Sequence, residues 1–343
     1  MFQKSVALVP AYKPDSRIFS VVESLKKYGF KNILAVSDGN SAEYEPILSV
    51  LDADPDVTLL RHSVNMGKGR AMKTAFDYIL KSWPEHSAVC VDCDGQLGAD
   101  DAAKAADLAE KHPDSLILGY RDLGKTENVP AASLFGNFTT RITVCLLTGI
   151  RFADTQCGLR AYPPAVMKKL LAVSGERFEF ENNTLTEVRK SSIPVVEFPI
   201  NVVYEANEGY TTTFRRVRDS IIIYKNLLSF FCAPAITFLL ASVLWLLITN
   251  SLSSPSAVGI SFVLAEVLAA SLCTLVTPKV KPLILSSILP GIVLGAAAFG
   301  LTLAGLGNGL VWLCLLIPAF WSLTFIYRRF GFGPKAKVLR LKL

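Results

Sequence analysis

Short apolar runs separated by amphipathic stretches fill the chain from Ser5 to Ile200. Residues 6–9 read as a strand, followed by the loop Pro10-Ala11-Tyr12-Lys13-Pro14-Asp15. Ile18, Val21, Val22 and Leu25 come next at helical spacing, so that their side chains share one face. Residues 33–36 predict a second strand, ending in Ser37-Asp38-Gly39-Asn40-Ser41, and residues 57–60 a third, ending in Arg61-His62. Asn65-Met66-Gly67-Lys68-Gly69-Arg70 then opens a helix carrying Ala71, Ala75, Tyr78 and Ile79. Residues 88–91 are the fourth strand, 116–119 the fifth and 195–200 the last. Strands alternating with helices predict an α/β fold whose sheet is mostly parallel and covered on both faces.

The pattern changes after Lys225, where charges almost vanish until Arg328. Four apolar stretches, 229–249, 257–277, 283–304 and 309–327, each have the ~20 residues that cross a bilayer. In residues 211–228, Phe214, Val217, Ile221 and Leu228 share a face, while Arg215, Arg216, Arg218 and Lys225 lie on the polar side. This reads as an interfacial helix on an anionic leaflet, each cation contributing roughly 1 kcal/mol; elsewhere it would be a soluble amphipathic helix. The loops 250–256 and 305–309 are uncharged. Lys279 and Lys281 lie between the second and third spans, and Arg328, Arg329, Lys335, Lys337, Arg340 and Lys342 follow the fourth. The positive-inside rule then places both termini in the cytoplasm. The expected layout is a soluble α/β domain over 1–210, the interfacial helix over 211–228, an all-α domain of four transmembrane helices over 229–327 and a basic cytoplasmic tail over 328–343. Glu266, near the middle of the second span, is either a functional acid or a partner in a helix–helix hydrogen bond.

Composition agrees with a membrane-bound chain: 343 residues are 51% hydrophobic, with a mean hydropathy of +0.39. The net charge of +6 reflects cations facing the membrane, and no aromatic-basic motif points to nucleic acid. Met1-Phe2-Gln3-Lys4 leads into an apolar run too short for a signal peptide, so the soluble half is expected in the cytosol. Cys90 and Cys93 flank a strand end, and Cys232, Cys273 and Cys314 lie in apolar spans. Free thiols are expected, with neither disulfides nor zinc.

The candidate chemistry centres on Val91-Asp92-Cys93-Asp94-Gly95-Gln96. Two carboxylates released at the end of a buried strand suit Mg²⁺ or Mn²⁺, hard cations that reach proteins alongside phosphates. The other reading is a solvated turn. In a 3-2-1-4 strand order the first and fourth strands meet where ligands bind, beyond the carboxyl ends. Tyr12 and Asp15 follow the first strand, Asp38 the second, and Asp92 and Asp94 the fourth, which makes a nucleotide site with a metal beside it. No GxGxxG follows the first strand, and Gly67-Lys68-Gly69-Arg70 lacks P-loop spacing. It could still approach a diphosphate at a helix start, or be merely a basic helix terminus. Glu179 and Glu181 are either an exposed helix start or functional acids. Asp101 is expected on a solvated helix face, and His62, His86 and His112 at the surface.

The segments LVPAYKPD, VSDGNS, NMGKGRAMKTAF, VDCDGQ, GYR and DTQCGLRAY occur in one order over residues 4–225. That order resembles family 2 glycosyltransferases of GT-A fold, in particular the polyprenyl-phosphate glycosyltransferases related to dolichyl-phosphate mannose synthases. RHSVNMGKGRAMKTAF resembles bacterial proteins that fuse this domain to a GtrA-like membrane domain. The resemblance implies that Pro10, Tyr12, Asp15 and Asp38 hold the nucleoside, with Gly67, Lys68 and Asp92 also on the nucleotide-sugar. Asp92, Asp94 and Gln96 would hold Mg²⁺ or Mn²⁺ on the donor diphosphate, and Arg121 would sit near the phosphates. Asp154 and Gln156 would face the sugar and acceptor. Three departures stand out: Asp15 replaces a frequent Glu, Ser37 and Asn40 alter the usual DDGS run, and no basic residue precedes Gly136-Asn137. Arg141, with Arg215 and Arg218, could serve the acceptor phosphate instead.

The implied activity is inverting transfer of one sugar from a UDP-sugar, UDP-Glc or UDP-GlcNAc, to polyprenyl (undecaprenyl) phosphate for cell-envelope glycans. The implied place is the plasma membrane, as a possible homo-oligomer. The alternative is a lipid-sugar translocase whose soluble domain only binds, although Thr277-Pro278-Lys279 stands where GtrA-like proteins often have an Asn-basic ending. The lack of a QxxRW stretch argues against a processive synthase.

Overall fold

The computed structural model describes residues 4–122, 131–201, 243 and 336–341. Residues Met1–Asp219 and Gly333–Leu343 belong to one compact unit. Its sheet has eight strands in the order β3-β2-β1-β4-β6-β5-β7-β8. The strands are β1 (Ser5–Ala11), β2 (Asn32–Asp38), β3 (Val57–His62), β4 (Ser87–Cys90), β5 (Leu116–Arg121), β6 (Arg160–Tyr162), β7 (Val195–Ile200) and β8 (Val338–Arg340). The 3-2-1-4 order expected from the sequence is present, and those strands pair in parallel. The sheet is mixed because β6 runs antiparallel between β4 and β5.

Period-two alternation along β1 sends Ala7, Val9 and Ala11 to one face and Val6 and Leu8 to the other. The first face packs against α1 (Arg17–Lys27), α2 (Glu45–Asp52) and α4 (Ala99–Lys111). The second packs against α3 (Lys68–Ser82), α6 (Pro164–Leu170) and α7 (Glu179–Lys190). Helix α5 (Ala131–Thr148) leads from β5 toward β6. Ile18, Val21, Val22 and Leu25 are buried as their spacing predicts, and so are Ala71, Ala75 and Ile79. This arrangement matches the α/β domain with a mostly parallel, doubly covered sheet that the sequence predicts.

Two strands escape the sequence pattern. β6 has three residues, Arg160-Ala161-Tyr162, too few for periodicity. β8 lies within the expected basic tail and pairs parallel with β7, Val195 opposite Val338 and Glu197 opposite Arg340. Two further expectations are corrected. Asp101 is fully buried, not solvated: its carboxylate takes the Asn201 backbone N–H at 2.8 Å and the Lys104 ammonium at 2.8 Å. His62 is not a surface residue; its ring bridges Asp38 at 2.8 Å and Thr74 at 3.0 Å.

Among the described residues no helix is long and apolar enough to cross a membrane. Apart from Val243, the four expected spans lie outside the described residues, as do the interfacial helix with Arg215 and Arg218, Glu266 and the GtrA-like membrane domain that the resemblance implies.

Candidate active site

The loops after β1 and β2 are tied together before any ligand is involved. Lys13 takes a left-handed backbone, φ 52°, and its N–H donates to Asn40 Oδ1 at 2.6 Å. Asn40 Nδ2 donates to the Ala11 carbonyl at 2.8 Å and to Ser37 Oγ at 2.9 Å. The residues that depart from the family pattern here, Ser37 and Asn40, therefore bond to each other. Pro10 and Tyr12 are half-buried beside them, and Asp15 pairs with Arg17 at 2.6 Å at the surface.

Asp38 is 2% exposed, and both of its oxygens serve the chain. Oδ1 receives the Met66 N–H at 2.9 Å and faces His62 Nδ1, while Oδ2 receives Gly67 N–H at 2.7 Å and Asn65 Nδ2 at 2.9 Å. The carboxylate thus fixes the segment that leads into α3. Gly67 and Gly69 also face the chain itself: a Cβ on either would run into residues 176–180, and Arg70 N–H donates to the Glu176 carbonyl at 2.9 Å. The start of α3 is therefore covered by the approach to α7, where a bound diphosphate was expected.

Lys68 instead turns into an acidic cluster. Its ammonium lies 2.7 Å from Asp92 Oδ1 and 3.1 Å from Glu181 Oε1. Burial opposes its charge, but Asp92 and Glu181 outweigh it and hold the ammonium well above the ordinary lysine range. Asp94, two residues on, has its carboxyl raised, chiefly by burial and then by the Asp92 charge. Its Oδ1 accepts the Gln96 N–H at 3.1 Å, across a turn in which Gly95 has φ 77°. Arg17 lies near enough to feel Asp94. Cys93 is pushed up to about 12 by the same burial and neighbouring acids, so it is a thiol and not a reactive thiolate. Cys90, Cys93, Cys145 and Cys157 are free.

The second cluster sits at the end of β5. Arg121 Nε meets Asp154 Oδ2 at 2.6 Å, and its Nη2 meets Oδ1 at 3.2 Å; the Asp154 side chain is wholly buried. Gln156 N–H donates to Asp154 Oδ1 at 2.9 Å, and its side-chain amide donates to Thr140 Oγ1 on α5 at 3.2 Å. Arg141 is exposed and donates to the Phe152 carbonyl at 3.2 Å. Residues 154–158 join the clusters, because Gly158 lies against Asp92, where a Cβ would overlap Asp92 Oδ2. Arg160, 2% exposed, braces this loop from beneath by donating to the carbonyls of Thr155 (3.1 Å), Cys157 (3.0 Å) and Glu181 (2.7 Å).

The structure thus gathers Asp92, Asp94, Gln96, Lys68, Arg17 and Glu181 at one end of this loop, and Arg121, Asp154, Gln156 and Arg141 at the other. Arg17, Arg160 and the role of Glu181 were not legible in the motifs. Arg17's signal, a cation just after the first loop, is too common to single out, and Arg160 gives none beyond its place in DTQCGLRAY. Among the described residues no three His, Cys, Asp or Glu side chains are arranged to hold a metal. Asp92 and Asp94, two carboxylates at the end of β4, fit a divalent cation that arrives with a diphosphate, since Mg²⁺ is held by one or two carboxylates plus phosphate oxygens and water.

The acidic site lies beyond the carboxyl ends of the switch-point strands, where open α/β sheets bind their ligands. Residues 6–161 match the family described as Glycosyl transferase family 2. The chain is similar to the UDP-N-acetylglucosamine–dolichyl-phosphate N-acetylglucosaminyltransferase of Methanococcus voltae, 27% identical over 57% of this chain and 84% of that one. It is also similar to glycosyltransferase AglJ of Haloferax volcanii, 26% identical over 64% of this chain and 69% of that one. Among solved structures it is similar to S. aureus TarS 1–349, with a TM-score of 0.40 and 15% identity over 96% of this chain and 93% of that one.

Proposed function

We propose that this chain is a membrane-bound inverting glycosyltransferase that moves a single sugar from a UDP-sugar onto polyprenyl phosphate, for the modification of cell-envelope glycans. The observation that carries the reading is the Asp92–Asp94 pair at the end of β4, with Lys68 on one acid and the other raised by burial, inside the stretch that matches Glycosyl transferase family 2. The dolichyl-phosphate acceptor in the name of the Methanococcus relative supports a lipid-phosphate acceptor here. The phosphate nucleophile is already ionised at neutral pH and needs no strong base. Asp154, locked bidentate to Arg121, suits orientation of acceptor or sugar better than proton abstraction.

The harder problem is to bring an anion to a diphosphate. Asp94, with Asp92 and Gln96, would hold a divalent cation, which when bound offsets charge on the departing diphosphate. Lys68 already neutralises Asp92, so the cation would fall mainly to Asp94. Arg17 and Arg121 add positive charge on either side, and Arg141 is exposed for the acceptor. Attack opposite the leaving group inverts the anomeric centre.

Residues 229–327 form the membrane part of this proposal, with the soluble domain and both termini on the cytoplasmic side of the plasma membrane. The parallel pairing of β7 with β8 supports only that the two ends of the intervening chain lie on one side, since both join one sheet. The test uses full-length protein in detergent or vesicles with radiolabelled UDP-sugars and undecaprenyl phosphate. Label is expected in the lipid extract with Mn²⁺ or Mg²⁺ and lost with EDTA. Label that stays water-soluble with every donor would refute the reading.

A further inference from the structure

Glu197 on β7 is a fully buried carboxylate that the transfer chemistry does not use. One oxygen, Oε1, accepts the Ala153 backbone N–H at 2.6 Å. The other, Oε2, takes Arg340 of β8 at 2.7 Å. Arg340 reaches further along the same loop, donating Nη2 to the Arg151 carbonyl at 2.9 Å. Strand β8 is seated for this by ladder bonds, Val195 N–H to Lys337 O at 2.8 Å and Leu341 N–H to Glu197 O at 2.8 Å. Tyr120, one residue before Arg121, donates its hydroxyl to the Leu341 carbonyl at 3.1 Å.

The residue after Ala153 is Asp154, whose carboxylate is aimed by Arg121 and by Gln156 N–H. We infer that the C-terminal strand is a positioning element of the site: Arg340, acting through Glu197, sets the 151–154 loop and with it the Arg121–Asp154 pair. Two anchors converge on that pair, Arg340 of β8 on the loop before Asp154 and Leu341, just past the strand, on the residue before Arg121. Glu197 needs a cation because an uncompensated buried carboxylate is costly, and β8 supplies it. The competing reading is that Arg340 only staples a short edge strand to the sheet.

The kinetic arm rests on the proposed transfer; the exchange arm does not. Two charge-balanced pairs in the full chain separate the readings: Glu197→Gln with Arg340→Met, and Glu197→Leu with Arg340→Met. Both remove the buried ion pair, but only Gln keeps an oxygen that Ala153 N–H can donate to. A mere staple treats the two pairs alike and leaves the kcat of both near wild type, whereas a positioning role for Arg340 slows the Gln pair relative to wild type as well. A Gln pair with wild-type kcat and wild-type exchange over residues 150–156 would overturn that role. A positioning role predicts that the Leu pair is slower than the Gln pair by about ten-fold or more in kcat, with UDP affinity matched within about two-fold, as a displaced reacting group costs rate and not donor binding. The peptide covering residues 150–156 should also exchange its amide hydrogens faster in the Leu pair. Equal kcat and equal exchange, with both variants melting cooperatively, would overturn the inference. Should the Leu pair not fold, Glu197→Met with Arg340→Met makes the same comparison with a side chain that adapts to irregular space. If the wild-type chain transfers no sugar, the exchange comparison decides alone, and it is the transfer reading that has failed.

Discussion

Asp94 has a carboxyl that the fold makes reluctant to ionise, by burial first and by Asp92 second. A carboxyl whose folded pKa lies above its unfolded value binds its proton more tightly when folded. It therefore lowers stability as pH rises from the ordinary value of 3.8 through the raised one. Asp94→Asn should remove that loss, so the metal-free variant should melt at the same temperature as wild type or higher at pH 7, and the two should converge toward pH 4. Turnover should fall by about two orders of magnitude or more, the effect of losing one preorganised electrostatic group. Mn²⁺ binding, followed by titration, should weaken in wild type as pH falls through the raised value, because the cation takes the ionised form. Unchanged turnover in Asp94→Asn would remove this carboxylate from the chemistry. Asp101 cannot serve as the silent control, since it anchors Asn201 from the core. Asp107 can: it pairs with Lys111 on the outside of α4 with half its side chain exposed, where such pairs contribute little.

At the scale of elements, the site depends on segments that leave room for one another. Gly158 lies two residues before β6 and directly against Asp92. Gly158→Ala would drive a methyl into the Asp92 carboxylate and push it off Lys68. A loss of about 1–3 kcal/mol is expected, as for other overpacked sites, read by urea denaturation, together with lowered transfer. A variant that melts and turns over like wild type would show that the Lys68–Asp92 contact is dispensable. The glycines of Gly67-Lys68-Gly69 make room in the same way, for residues 176–180. Glycines at a helix start leave both a diphosphate and a close chain crossing open from sequence alone, because each calls for a residue without Cβ.

For the whole molecule, β8 decides which side the chain returns to. β7 ends at Ile200 and β8 begins at Val338 in the same sheet. Any membrane crossings between them must be even in number, since one sheet cannot be divided by a bilayer. Reporter fusions after Leu343 should therefore report the same compartment as fusions at the N-terminus, and fusions within residues 250–256 the opposite one. A C-terminus across the membrane from the N-terminus would break the β7–β8 pairing and exclude the proposed topology.

What the sequence determined by itself was local and periodic. The apolar runs of β1, β2, β3, β4, β5 and β7, the buried stripes of α1 and α3, and the acids released after β4 all follow from spacing within a few residues. Strand order 3-2-1-4 was legible as well, because parallel βαβ units leave few alternatives. Tertiary structure alone decided what each polar group faces. Asp38, Asp101, His62 and Glu197 carry the same side chains whether solvated or sealed. The contacts Asp38–His62, Asp101–Asn201 and Glu197–Arg340 span 24, 100 and 143 residues. β6 and β8 are strands because neighbouring strands supply their hydrogen bonds, and a three-residue segment has no periodicity of its own to show it. Burial of a charge is settled only when the element that compensates it arrives, so Arg340 reads as part of a basic tail until the sheet edge brings Glu197 beside it.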